Sequence, residues 1–176
     1  MTFQLTESGA RSKGELYEQL ASQLSSLLAG ERDLIANAAN FSSLIFHSLP
    51  DLNWAGFYFA KDGELVLGPF QGQPACVRLK IGQGVCGASA AKCETMIVPN
   101  VHEFPGHISC DSASNSEIVV PLIKGERLIG VLDLDSPSLS RFDEEDAAGL
   151  ERLVRILLAS AITRRGARII SIREEL

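Results

Sequence analysis

EIVVPLIKGERLIGVLDLD, residues 117–135, consists of two apolar runs separated by the turn-forming tripeptide Lys124-Gly125-Glu126. The pattern predicts a β-hairpin with strands over Glu117–Ile123 and Arg127–Asp135. Alternate residues of a strand share a face. One face of the first strand is therefore Glu117, Val119, Pro121 and Ile123, and one face of the second is Ile129, Val131, Asp133 and Asp135. The second face begins apolar and ends with two carboxylates, which either belong to a binding site or are solvated in the turn that follows.

The flanking sequence predicts a second hairpin and helices at both ends of the chain. The hairpin joins Trp54–Ala60 to Glu64–Phe70 through a Lys-Asp-Gly turn. Helices are expected over Gly14–Leu28, Glu31–His47 and from about Phe142, with Ser140 as the cap of the last. Shorter elements are expected at Cys76–Ile81 (strand), Gly84–Lys92 (helix) and Thr95–Val98 (strand). We therefore expect an α+β fold with a central antiparallel β-sheet flanked by N- and C-terminal helices.

Composition restricts the class of protein. The chain has 176 residues, 45% hydrophobic and 22% charged, with a net charge of −6. These values predict a soluble globular domain and argue against nucleic acid as the main partner, because no basic cluster precedes the last dozen residues. No apolar run reaches membrane-spanning length and the N-terminus lacks a signal peptide's apolar core, so a cytoplasmic location is expected. We expect a loose segment over residues 1–13, one domain over 14–162, and an extension over 163–176 to which we assign no role.

The chain has four cysteines. In a cytosolic protein they do not indicate a structural disulfide framework. Cys110 lies in a polar loop between His107 and the strand that begins at Glu117, so it is either a surface residue or a reactive group. Cys86 and Cys93 are also explained by simple packing. Nine, six and sixteen residues intervene between successive cysteines, with no C-x-x-C pair, which argues against a zinc site, so no metal is expected.

Two further patterns have a structural and a functional interpretation. Trp54 and Tyr58 share a strand face, where they are either core residues or an aromatic wall for a ligand. IGQGVCG, residues 81–87, matches the dinucleotide-binding pattern G-x-G-x-x-G. The preceding strand alternates polar and apolar residues and the following helix is short, so a dinucleotide site is rejected.

Four segments together resemble one family. They are NWAGFYF (53–59), LGPFQGQPACVRLKIGQGVCG (67–87), NVHEFPGHISCDSASNSEIVVPL (100–122) and IGVLDLDSP (129–137). In this order they are similar to the free methionine-(R)-sulfoxide reductases, which are single GAF domains, over about residues 34–155. Three cysteines, Cys76, Cys86 and Cys110, match the redox positions of that family, whereas Cys93 matches none.

The resemblance implies an enzyme that reduces free L-methionine (R)-S-oxide. It implies that Cys110 is the nucleophile, Cys76 the resolving cysteine and Cys86 a second redox cysteine. The implied substrate-binding residues are Trp54, Tyr58, Glu117, Asp133 and Asp135. The implied route runs through a sulfenic acid and an intramolecular disulfide that thioredoxin or another dithiol reduces, with no bound cofactor and a role in oxidative stress. Pairing into a homodimer is expected from GAF domains in general.

Two alternatives come from other functional classes. One is a non-catalytic GAF module that senses a small molecule or redox state. The other is a chromophore- or metal-binding sensor that uses Cys110 as its attachment point. A sensor would keep its thiols when free methionine sulfoxide is added without reductant, whereas the enzyme would lose two per molecule.

Overall fold

Both predicted hairpins form, and they lie side by side in one sheet. The computed structural model describes residues 12–107 and 112–161. The strands are β1 (Trp54–Lys61), β2 (Glu64–Gly72), β3 (Arg78–Lys80), β4 (Met96–Val98), β5 (Ser116–Lys124) and β6 (Arg127–Ser136). Each neighbouring pair is antiparallel, in the order β3-β2-β1-β6-β5-β4. The hairpin quoted first therefore contributes two of the inner strands, and β6 pairs with the first strand of the other hairpin.

Helices cover both faces of this sheet. They are α1 (Lys13–Leu27), α2 (Leu34–Ser48), α3 (Gly84–Lys92) and α4 (Glu144–Ser160). Side chains of α1, α2 and α4 pack in one buried cluster with Phe57, Ile118 and Leu134. On the opposite face, α3 packs with Trp54, Tyr58, Val119 and Val131. The period-two pattern of the strands thus divides the apolar residues between two cores, and the expected α+β fold with a central antiparallel sheet is confirmed.

The sheet departs from simple alternation at Ile129. On β5, Leu122 pairs with Gly130 and the next residue, Ile123, pairs with Leu128, so the register shifts there. Ile129 packs in the cluster formed with α1, α2 and α4, whereas Val131 packs in the cluster on the α3 side. Its predicted place on the Val131 face was wrong because a β-bulge inserts one extra residue and reverses the facing of the residues beyond it.

Other differences concern the ends of elements. The strand predicted from Cys76 begins only at Arg78, so Cys76 lies in the loop before it. The predicted cap of α4 was also wrong: Ser140 has a φ of 51°, and Asp143 is the N-cap, its side chain accepting from Glu145 and Asp146 amides. Ser12 caps α1 and Lys13 begins it. Residues 1–11, 108–111 and 162–176 lie outside the described residues. They include most of the predicted loose segment 1–13, the part of the loop that contains Cys110, and the whole predicted extension 163–176.

No helix within residues 12–107 and 112–161 has both the length and the apolar character required to cross a bilayer.

One buried carboxylate joins the first helix to the last. Asp146 of α4 is 1% exposed and accepts a hydrogen bond from the Tyr17 hydroxyl of α1 at 2.9 Å. It forms ion pairs with Lys13 at 2.6 Å and with Arg141 at 3.2 Å. It also accepts from the backbone of Asp143, which completes a capping box. These contacts satisfy a charge that would otherwise be costly to bury.

We therefore predict that Asp146→Ala lowers the free energy of unfolding by about 3 kcal/mol, because it leaves buried partners without their carboxylate. Asp143→Ala is the matched control, since it removes the N-cap and an exposed ion pair with Lys13 but no buried charge, and it should cost about 1 kcal/mol. Urea denaturation of the two variants measures both values. Equal losses would contradict the role given to the buried network.

Candidate active site

The register of β6 brings the acidic side chains together. Asp135 pairs with Trp54 of β1 on one side and with Glu117 of β5 on the other. Two residues back along β6, Asp133 pairs with Gly56 and Val119. Residues that pair across antiparallel strands point to the same face. The three carboxylates and the indole therefore share the sheet face that α3 covers.

Glycines allow α3 to approach this face closely. A Cβ on Gly87 would lie 2.3 Å from the carbonyl oxygen of Lys80, so a larger residue would push the helix away. The backbone N–H of Gly82 also donates to the Gly87 carbonyl at 2.8 Å. This packing places Cys86 over the acidic residues, where its thiol donates to Glu117 Oε1 at 3.9 Å. Cys86 is a buried, free thiol.

A cavity lies between α3 and the sheet. Its lining, taken over the described residues, contains Tyr58, Leu79, Gln83, Gly84, Val85, Cys86, His107, Ser114, Glu117, Asp133 and Asp135. Its volume of about 30 Å³ is the room of one or two water molecules. A ligand as large as an amino acid therefore requires the lining side chains to separate.

Burial governs the protonation of the carboxyl groups. Burial, followed by the negative charges of Asp133 and Asp135, raises the pKa of Glu117 well above its usual range. Burial raises the pKa of Asp133 to about 6, against the opposing effect of hydrogen bonds with Cys86 and Glu117. Both shifts favour the protonated acids, so Glu117 is a candidate proton donor and Asp133 titrates closer to neutral pH than a free carboxyl group does.

The hydroxyl and thiol of the cavity are held in their neutral forms. Burial raises the pKa of the Cys86 thiol well above its usual value, and the charges of Asp133 and Glu117 add to the effect. Burial likewise raises the pKa of Tyr58, followed by the charge of Asp133. Cys86 is consequently a thiol and not a thiolate at neutral pH, so it is a poor nucleophile as it stands.

His107 contacts the acidic group from the loop side. Its Nε2 lies 3.8 Å from Glu117 Oε2, and burial lowers the pKa of the imidazole. The sequence had placed His107 beside Cys110 and not beside Glu117. Ser114 and Gln83 also line the cavity and were not predicted, because a serine in a polar loop and a glutamine before a helix give no pattern that separates them from their neighbours.

The beginning of α3 also lines the cavity. Gly84 and Val85, the first two residues of that helix, line it, and the N-cap Gln83 makes no side-chain capping bond. The first N–H groups of a helix have no intrahelical acceptor and carry a partial positive charge. The cavity therefore combines carboxyl groups from the strands with the N-terminus of a helix.

The structure brings together most of the residues singled out in the sequence. Tyr58, Cys86, Glu117, Asp133 and Asp135 all line the cavity. Of the described residues, the lining does not include Trp54: its ring stacks against Tyr58 at 5.8 Å between centroids, and its indole N–H donates to the Gln73 carbonyl at 3.1 Å. Trp54 thus supports Tyr58 from behind.

The remaining cysteines occupy different places. Cys76 is half-buried in the loop before β3 and is disulfide-bonded. Cys93 is a free thiol at the C-terminal end of α3, where it adopts a left-handed backbone conformation with a φ of 56°. Cys110, the predicted nucleophile, lies outside the described residues.

Comparison with known proteins identifies the family. The family model described as "GAF domain" matches residues 14–162. The free methionine-R-sulfoxide reductase of Escherichia coli is 51% identical over 142 residues, which are 81% of this chain and 86% of that protein. The enzyme of the same name from Saccharomyces cerevisiae is 42% identical over 158 residues, 85% of this chain and 88% of that protein.

Solved structures give the same result. The free methionine-R-sulfoxide reductase of Neisseria meningitidis, solved in complex with its substrate, superposes with a TM-score of 0.86 at 44% identity, covering 90% of this chain and 95% of that one. With a GAF model matching most of its length and curated relatives this similar, the chain belongs to the GAF domain family and, within it, to the oxidoreductases known as free methionine-R-sulfoxide reductases.

Proposed function

We propose that this protein reduces free L-methionine (R)-S-oxide to L-methionine. The observation that carries the proposal is the composition of the cavity lining, which combines the carboxyl groups of Glu117, Asp133 and Asp135 with the first residues of α3. A free amino acid carries an ammonium and a carboxylate on the same carbon. The cavity therefore matches a zwitterion better than it matches a peptide segment, whose nitrogen and carbonyl are uncharged.

The acids bind the ammonium in this proposal. Burial has raised the pKa values of Glu117 and Asp133, so their ionised forms are unfavourable in the empty cavity. A bound ammonium supplies the missing counter-charge and favours ionisation of the acids nearest to it. We place the substrate carboxylate at the N-terminus of α3, where it can accept hydrogen bonds from the N–H groups of Gly84 and Val85.

The aromatic residues hold the sulfur end. Tyr58 lines the cavity and is stacked on Trp54, which in turn is stacked on Phe70 at 5.3 Å. This three-ring stack holds the Tyr58 ring in place as a wall for the methyl group and the positively polarised sulfur. Trp54 contributes to binding by fixing Tyr58.

The chemistry we propose begins with attack by Cys110 on the substrate sulfur. The S–O bond of the sulfoxide breaks, the oxygen is transferred to Cys110 as a sulfenic acid, and methionine leaves with its sulfur reduced by two electrons. Protonation of the sulfoxide oxygen assists this step, and we assign the proton to Glu117, whose pKa is raised by burial, which leaves Asp133 and Asp135 for the ammonium.

Recycling requires a second thiol. The Cys76 thiol condenses with the sulfenic acid, which forms a disulfide and releases water, and thioredoxin or another dithiol then reduces the disulfide. Cys76 is the better candidate because it lies in a half-buried loop and already takes part in a disulfide. Cys86, buried and with a raised pKa, is the second candidate for this resolving role. A cytoplasmic location, a function in oxidative stress and assembly as a homodimer belong to the same proposal.

Selectivity for the free amino acid tests the proposal directly. With a recycling dithiol present, we expect turnover of free methionine (R)-S-oxide and a loss of about 10⁴-fold in kcat/KM for the N-acetylated form, because an amide leaves the buried carboxylates without a counter-charge. The S epimers of both compounds are the matched controls and should be inactive. Equal rates on the free and N-acetylated R forms would refute the role of the acids.

The cysteine assignment gives a second prediction. Cys110→Ser should abolish both turnover and the stoichiometric release of methionine in a single turnover. Cys76→Ser should still release one methionine per chain but fail to recycle with thioredoxin, since the sulfenic acid lacks its partner. Cys93→Ser is the control and should match the wild type. Undiminished recycling in Cys76→Ser would transfer the resolving role to Cys86.

A third prediction concerns the stability cost of the site. The pKa of Asp133 is about 6 in the fold and about 3.9 in an unfolded chain. The folded chain thus binds this proton more tightly than the unfolded chain does. The stability that the bound proton contributes is lost as the pH rises from about 4 through 6. Asp133→Asn removes that loss, so at pH 8 the variant should be more stable than the wild type by roughly 2 kcal/mol, with the difference shrinking towards pH 4.

Urea denaturation at both pH values measures this difference, and kinetics should show that the more stable Asp133→Asn protein is less active. Asp62→Asn, in the exposed turn between β1 and β2, is the matched control and should change stability little at either pH. A destabilised Asp133→Asn protein at pH 8 would contradict the assignment of a desolvation cost to Asp133.

A further inference from the structure

Three side-chain atoms of the cavity that could coordinate a metal ion form a compact group. The proposed reaction does not require these three atoms to lie so close together. Cys86 Sγ and one carboxylate oxygen each of Glu117 and Asp133 lie within 4.8 Å of one another, and all three residues are buried. The distance from Cys86 Sγ to Glu117 Oε1 is 3.9 Å. The cluster combines one sulfur with two oxygens, which is a different donor set from a group of acids alone.

A second observation points to a ligand at this place. Asp133 Oδ1 is buried and has no hydrogen-bond partner among the residues that the structure describes. A carboxylate oxygen in that position is costly unless a donor or a cation satisfies it. It belongs to one of the three clustered side chains and faces the same cavity.

The geometry suits zinc better than the hard cations. Zn²⁺ binds thiolate at about 2.3 Å and carboxylate at about 2.0–2.2 Å, so neighbouring ligands of a tetrahedral ion are about 3.5 Å apart. The 3.9 Å between Cys86 and Glu117 needs only a small contraction to reach that value. A sulfur ligand favours Zn²⁺ over Mg²⁺ or Ca²⁺. Three protein ligands also leave a fourth position for water.

We propose that Cys86, Glu117 and Asp133 form a binding site for Zn²⁺ or a similar thiophilic divalent cation, and that the bound cation excludes the amino-acid substrate. On binding, the S–H bond of Cys86 breaks, its proton passes to solvent and a sulfur–metal bond forms, with no change of oxidation state. Exclusion of substrate rests on the proposed function, because the cation occupies the place given to the ammonium. The site would then inhibit the reductase reversibly.

The mechanism of inhibition differs from oxidation of the redox cysteines. The metal takes Cys86, which the proposed attack and first resolution steps leave free, and the two carboxylates that bind substrate. A chelator should therefore reverse the inhibition in the standard assay, with no reductant beyond the recycling dithiol.

Cobalt provides the test, because Co²⁺ takes zinc-like sites and a thiolate ligand gives it a near-ultraviolet charge-transfer band. The full-length protein is used in its disulfide form, so that Cys76 contributes no thiol. We expect one Co²⁺ per chain, a charge-transfer band that Zn²⁺ abolishes by displacing the Co²⁺, and loss of the band in Cys86→Ser. Loss of one ligand should weaken Zn²⁺ binding by roughly a hundredfold or more, measured by competition with a chromophoric chelator.

Matched variants keep the test decisive. Asp133→Asn is nearly isosteric and should weaken Zn²⁺ binding comparably, while circular dichroism verifies that both variants are folded. Cys93→Ser removes the other free thiol and should retain the band and the affinity. Unchanged Zn²⁺ affinity in Cys86→Ser, or loss of the band in Cys93→Ser, would overturn the site.

Competition distinguishes this inference from the proposed function. Free methionine should displace Co²⁺ from the protein, whereas N-acetylmethionine should not. Binding that depends on Cys86 but ignores free methionine would overturn the exclusion of substrate. Turnover of free methionine (R)-S-oxide in buffer containing a chelator tests the proposed function alone, so an inactive protein that binds Co²⁺ through Cys86 refutes that function and leaves the metal site standing.

Discussion

Antiparallel pairing of β6 with both β1 and β5 is the constraint on which the candidate site depends. The pairing places Asp135 directly between Trp54 and Glu117, and Asp133 between Gly56 and Val119. A slip of one residue would turn every side chain of β6 to the other face. Leu132 and Leu134 pack in the core formed with α1, α2 and α4. They oppose that slip, because it would move them to the face that α3 covers. The core of one face thus fixes the position of the acids on the other.

The acids in turn conflict with the burial that α3 imposes. Covering the sheet face with Cys86 removes Glu117 and Asp133 from water and raises their pKa values. A protein selected only for stability would place apolar side chains there. The conflict is resolved when a cation enters, so the same desolvation that weakens the empty fold strengthens recognition of a charged ligand. Both an ammonium and a thiophilic metal ion meet that requirement, the first through charge alone and the second through charge and the sulfur of Cys86.

Local patterns were sufficient to predict the two hairpins, the terminal helices and the shared face of Trp54 and Tyr58, because these depend on periodicities of two and 3.6 residues. The bulge at Ile129 was missed because a bulge adds a residue without changing the apolar pattern. The cap of α4 was misplaced because Ser140 and Asp143 are both good capping residues, and only the buried contacts of Asp146 select the second. The packing of α3 over the acids was equally hidden, since it depends on the backbone approach at Gly87, a tertiary contact. The site residues that the sequence supplied came from the strand faces and from the family resemblance, whereas His107 against Glu117, Ser114 and Gln83 became evident only in the fold.

The two outermost strands, β3 and β4, are each three residues long. Each pairs with three residues of its nine-residue inner neighbour, β2 or β5, and an outer strand this short is a poor template for another chain. β3 further presents the exposed charged side chains of Arg78 and Lys80. Short, charged edge strands disfavour edge-to-edge pairing with another chain, and this protection comes from strand length and charge instead of from added stability of the fold.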